Sequence, residues 1–113
     1  MTSNMRQAWA AETFAAESWR KHEPSSLVVP LAPSFPCDLL VVDPRGGGGA
    51  NLVWLEVKSS RNRARAKKAR LTAPEEAFRE RVRHGEIPGS LHAIVRLHAK
   101  PKKGGWTFEE VFP

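Results

Sequence analysis

The sequence holds a single cysteine, Cys37, so no disulfide forms within the chain. His22, His84, His92 and His98 stand at no metal-ligand spacing from it, which argues against a structural zinc site. Cys37 reads instead as a small buried hydrophobe beside Asp38. Nowhere does an apolar run reach the roughly 18 residues that a membrane helix needs, and the N-terminus has no signal-peptide pattern. A soluble, cytosolic protein with no membrane role is therefore expected, in the host cytosol if the gene is viral. The glycines 46–49 lack a following Lys-Ser or Lys-Thr and open no helix, so they read as a flexible hairpin tip rather than a phosphate cradle. No internal repeat is present, and no acidic residue falls between Arg61 and Arg70.

What the chain does contain is positive charge. Its 113 residues suit one domain with one core, and 18 Lys+Arg against 12 Asp+Glu give a formal net charge of +6. A surface of that sign favours nucleic acid or an anionic membrane.

Two Val- and Leu-rich runs, Cys37–Asp43 and Leu52–Lys58, flank the glycines and predict a β-hairpin. Side chains alternate along a strand, so Trp54, Glu56 and Lys58 share one face and Val53, Leu55 and Val57 the other. A hairpin folded about Gly47 sets Asp38 opposite Glu56, with Cβ atoms roughly 5 Å apart. Two carboxylates that close repel each other and call for a cation. Hard Mg²⁺ takes oxygen ligands, and Lys58 beside it would have a lowered pKa and would orient or deprotonate an attacking water. The plainer alternative is an amphipathic hairpin whose Glu56 and Lys58 face solvent.

Upstream, an alanine-rich helix is expected from Met5 to about His22. On a helical wheel Met5, Ala8, Trp9, Ala15, Ala16 and Trp19 fall within about 60° of Glu12, placing that carboxylate in mid-stripe on the buried face, while Glu17 lies about 140° away in solvent. A carboxylate so placed is paired, protonated or metal-bound, unless its tip reaches water at the core's edge. Phe14 lies off the stripe and implies a second apolar contact, such as one with another subunit. Ser25 or Ser26 to Leu31 reads as a first strand, and Pro33–Pro36 as the loop that feeds Asp38 into the second.

Beyond Lys58 come Arg61, Arg63, Arg65, Lys67, Lys68 and Arg70, a run read as a loop without helical pattern. It is either simply solvated or, leaving directly from the acids, a grip on the phosphate backbone. Thr72-Ala73-Pro74-Glu75 is a capping-box start and Gly85 a C-terminal stop, with Ala77, Phe78 and Val82 on the packed side between them. Leu91–Leu97 is then a strand, Lys100–Gly105 a basic turn, and Trp106–Val111 a final strand. The order helix, three strands, helix, two strands predicts an α/β domain with a mixed sheet of about five strands.

Asp38, Glu56-Val57-Lys58 and the helical Glu12 resemble the PD-(D/E)XK nuclease core, and more narrowly the archaeal-type Holliday junction resolvases. Ala11-Glu12 with Lys21-His22 resembles that family's opening helix, Arg83–Pro88 its helix exit, and Gly105-Trp106-Thr107-Phe108 its closing strand. The resemblance runs through nearly the whole chain in the same order. It implies a single nuclease domain over residues 1–113 with a restriction-endonuclease-like core, and a homodimer that nicks two opposed strands of a four-way DNA junction. It also implies dependence on Mg²⁺, with Mn²⁺ able to substitute. Glu12, Asp38 and Glu56 match the metal-binding acids, Lys58 the catalytic lysine, and Ser34 a polar residue of the loop before the acid. The chain departs from the family at Pro30-Leu31, where members carry an Arg-Ser pair. Two other functions compete: a nuclease of this superfamily acting on flaps, nicks or mismatches, and a non-catalytic basic nucleic-acid-binding protein. Only the second would need no divalent metal.

Overall fold

The computed structural model describes residues 2–44 and 51–112. The glycine tip at 46–49 thus lies outside the described residues. Helix α1 (Ser3–His22) is followed by β1 (Leu27–Pro30), β2 (Leu39–Asp43) and β3 (Asn51–Ser60). Two helices, α2 (Arg63–Lys68) and α3 (Ala73–Arg83), then lead to β4 (Ser90–Lys102) and β5 (Gly105–Glu110). The strands form one mixed sheet in the order β1-β2-β3-β4-β5. Only β3 and β4 are parallel; the other neighbouring pairs are antiparallel. A parallel pair requires a crossover connection, and α2 and α3 supply it.

The hairpin register is the one expected from symmetry about Gly47: Leu39 faces Leu55 and Val41 faces Val53. Alternation along the strands divides the core into two layers. On one face Leu39, Val41 and Leu55 pack with Val28 of β1 and with Ala15 and Ala16 of α1. On the other, Trp54 packs with Cys37 and with Phe78 and Val82 of α3. Cys37 is the small buried residue expected, 3 % exposed, and burial pushes its thiol up to about 12. Helix α3 starts at the expected capping box, closed in both directions between Thr72 and Glu75. It ends at Gly85, whose φ of +78° is the left-handed geometry that favours glycine there. No helix among the described residues is long and apolar enough to cross a membrane.

The structure differs from the sequence reading in several places. The buried side of α1 follows Gln7, Ala11, Ala15 and Ala16, whereas Met5 and Trp9 are 57 % and 66 % exposed. Small alanines let the helix lie close on the sheet, and the bulky residues are displaced to its flank. Glu12 consequently sits at the edge of the buried face, half-buried, rather than at its centre. Phe14 finds its apolar partner within the chain, its ring centroid 5.4 Å from that of Phe108 on β5.

The basic run is not a loop throughout. Arg63–Lys68 form α2, whose N-cap Asn62 accepts from the Arg65 N–H at 3.0 Å and whose Ala66 is fully buried. Ala77 of α3 is exposed, and the buried residues of that helix are Phe78 and Val82. Strand β4 runs on to Lys102, which narrows the basic turn to Lys103 and Gly104. Strand β1 is shorter than expected and ends at Pro30, on an edge strand where a missing N–H is tolerated.

Candidate active site

The β2–β3 ladder ends at the pair Leu39 and Leu55, but β3 continues to Ser60. Where β2 stops, Asp38 takes over as acceptor: its Oδ2 receives the Val57 N–H at 2.7 Å. The carboxylate thus satisfies a backbone donor that the missing strand leaves open. The same register, carried one residue further, sets Asp38 opposite Glu56. A cleft of about 610 Å³ opens here, walled by the N-terminal half of α1, the end of β3, and the starts of α2 and α3. Glu12, Asp38, Glu56 and Lys58 all line it, so residues separated by up to 46 positions meet at one place.

Glu56 is only 2 % exposed. Its carboxyl contacts those of Asp38 and Glu75, and Lys58 Nζ stands 3.5 Å from Oε1. Burial first, then contact with Glu75 and the charge of Asp38, push Glu56 up to about 9. Its Oε2 is buried with no hydrogen-bond partner among the described residues. Asp38 is raised as well by burial, although the Val57 N–H and Lys58 oppose the change. Burial and the charge of Asp38 push Glu12 up to about 7. All three shifts share one leading cause, the removal of these carboxyls from water, and neighbouring carboxylate charge adds to it at Glu12 and Glu56.

Lys58 is the cation paired with these acids. Its Nζ lies 2.7 Å from Glu75 Oε1. Burial works against the ammonium, but Glu75 and Glu56 outweigh that and hold its pKa above the ordinary value. The lowered pKa expected from a metal neighbour is therefore not found beside carboxylates alone. Glu75 is the site residue that the sequence reading missed. Burial would raise its pKa, yet hydrogen bonds from Glu56, Lys58 and the Thr72 N–H bring it down to about 2. The only signal in the sequence was the capping box, which accounts for Glu75 as a helix start and gives no hint that the same carboxylate faces β3.

Among the described residues no group of three or more His, Cys, Asp and Glu side chains is drawn together to hold a metal ion. Asp38 and Glu56 touch, while Glu12 reaches the same cleft from α1. The donor set nevertheless suits a hard divalent cation: oxygens only, one of them buried without a partner, in a cluster short of positive charge.

The proposed DNA-contacting residues fall into four groups. Arg61 and Arg65 line the cleft. Arg61 is also anchored, donating to Ser3 Oγ at 2.6 Å and lying 5.0 Å over the Trp106 ring. Arg63 pairs with Glu109 at 3.2 Å. Lys67, Lys68 and Arg70 are exposed and make no ion pair among the described residues. Ser34 is exposed in the loop before β2 and forms no part of the cleft wall.

No protein-family model, curated protein or solved structure matches this chain.

Proposed function

We propose that this chain is a metal-dependent endodeoxyribonuclease with a restriction-endonuclease-like core, acting as a homodimer on four-way DNA junctions. The observation that carries the hydrolytic part of this reading is the convergence of Glu12, Asp38, Glu56 and Lys58 on one open cleft, with Glu56 buried and one of its oxygens unpartnered. Carboxylates that close are costly, and a simple binding surface for phosphates would not assemble them. Preference for a junction is supported by the likeness of the chain's motifs, in order, to the archaeal-type resolvases.

Asp38, Glu56 and Glu12 would hold Mg²⁺ through their carboxylate oxygens. When bound, the cation supplies polarisation of a phosphoryl oxygen and acidification of a water. Lys58 keeps its proton and presents positive charge to the phosphate or to the attacking water. Arg65 at the rim and Lys67, Lys68 and Arg70 beyond it grip the backbone without reading bases. A C₂ pair of such clefts gives symmetric cuts in a branched substrate from one gene product.

The test is cleavage of a mobile four-way junction, a flap and a matched linear duplex, with Mg²⁺ and with EDTA. Junction cutting that requires Mg²⁺ and exceeds cutting of the other two supports the reading. Equal cutting of all three keeps the nuclease and removes the resolvase. Metal-independent binding without cutting by any preparation leaves the non-catalytic alternative.

A further inference from the structure

Glu75 performs two tasks with one atom. Its Oε1 accepts the Thr72 N–H at 2.7 Å, closing the capping box of α3, and accepts Lys58 Nζ at 2.7 Å. Lys58 projects from β3, and its side chain is 19 % exposed. A lysine stem has four rotatable bonds, and without a fixed acceptor its head would range through the cleft. Glu75 itself is ordered by the first turn of α3, a helix fastened to the sheet by Phe78 against Trp54.

From this geometry, and resting on the nuclease reading above, we infer that Glu75 is a positioning residue: it fixes the Lys58 ammonium beside Glu56 and so sets where positive charge meets the scissile phosphate. The Thr72 N–H and the Lys58 ammonium thereby share one acceptor atom. Glu75 acts through the side chains it touches, Lys58 above all and also the Glu56 carboxyl. The residue types agree with this role, since a carboxylate at the third helical position is favoured by both the cap and the helix dipole and stays where folding puts it.

The role separates from plain helix capping by substitution. E75A removes both contacts. T72A removes the hydroxyl that caps the Glu75 N–H, at 3.4 Å, and leaves the Lys58 contact intact. E75Q keeps an acceptor at Oε1 and remains a good capping-box residue.

Two readouts decide. The first needs neither metal nor DNA: ¹H–¹⁵N spectra of the ammonium groups, in which a lysine held by an ordered, half-buried acceptor exchanges slowly enough to give a signal. K58R identifies that signal. The second is single-turnover cleavage of junction DNA in Mg²⁺, alongside junction affinity in EDTA. The expectation is a Lys58 signal in wild type, T72A and E75Q that is lost in E75A. E75A should cleave about ten- to a hundredfold more slowly with unchanged affinity, the scale of loss from displacing a catalytic group by about an ångström. T72A should unfold at lower temperature yet keep the wild-type rate. A Lys58 signal that persists in E75A, or a rate loss in T72A equal to that in E75A, overturns the proposal. Should wild type cut no DNA, the nuclease reading fails by itself, and the ammonium signal still decides whether Glu75 positions Lys58.

Discussion

Glu56 is almost wholly out of water, beside two other carboxyls, and its nearest ion-pair partner Lys58 is shared with Glu75. Its folded pKa, about 9, lies above the ordinary 4.5. A group raised on folding stabilises the fold fully below its unfolded pKa and loses that contribution as pH rises through the folded one. In metal-free buffer the melting temperature should therefore decline as pH rises from about 4.5 toward about 9, with Glu12 and Asp38, raised in the same direction, adding to the fall. Glu75 moves in the opposite direction, and its contribution is lost only below about 4.5, so it does not interfere in this window. Glu56→Gln should flatten the decline; a decline of equal size in the variant would show that Glu56 is not the group responsible. In Mg²⁺, Glu56→Gln and Asp38→Asn should each abolish cleavage while junction binding in EDTA stays almost unchanged, because carboxylates add nothing favourable to contact with phosphate. Glu12→Gln should also cost activity, since Glu12 lines the cleft, whereas Glu17→Gln on the exposed side of α1 should not. A reversal of those two effects would mean that α1 is rotated away from the orientation described.

At the scale of elements, α2 turns a run of like charges into a surface. Ala66 is fully buried against the sheet side, and the flanking cations are left pointing outward. Arg63 spends its charge on Glu109, so Arg65 and Lys68 are the better probes of DNA contact. Replacing both by alanine should weaken binding to all junction sequences alike and lower the log–log salt slope by up to about two. Stability should change by no more than about 0.5 kcal/mol, as at exposed positions generally. An unchanged salt slope would make α2 a structural connector only.

The elements also show what was legible beforehand. Apolar arms symmetrical about Gly47 fix the hairpin register, and with it the meeting of Asp38 and Glu56, because a one-residue slip would turn every side chain to the wrong face. Thr72, Pro74, Glu75 and Gly85 mark the limits of α3 through purely local chemistry. The rotation of α1 was not legible: Trp9 and Met5 outweigh alanine on any hydrophobic wheel, yet close approach to the sheet selects the alanines. Nor was α2, since Arg63 to Lys68 carries no apolar period and one buried alanine anchors it. Glu75 belongs to the same class, because only the parallel crossover from β3 to β4 brings it over Lys58.

For the whole molecule, the acids share their cleft with Lys58, Arg61 and Arg65, and the net charge of +6 makes the chain attractive to a polyanion at a distance. Paired incision requires two such clefts, so light scattering should give the mass of two chains at working concentration; a monomer there would remove the basis for symmetric cutting. The most direct measurement is to map the cuts themselves: all four strands of a mobile junction, labelled in turn and treated under single-turnover conditions with Mg²⁺. The account predicts nicks on two opposed strands at symmetry-related positions, with none in EDTA and none by the Glu56→Gln protein. Intact strands with the wild-type protein in Mg²⁺, or the same nicks made by Glu56→Gln, would contradict it.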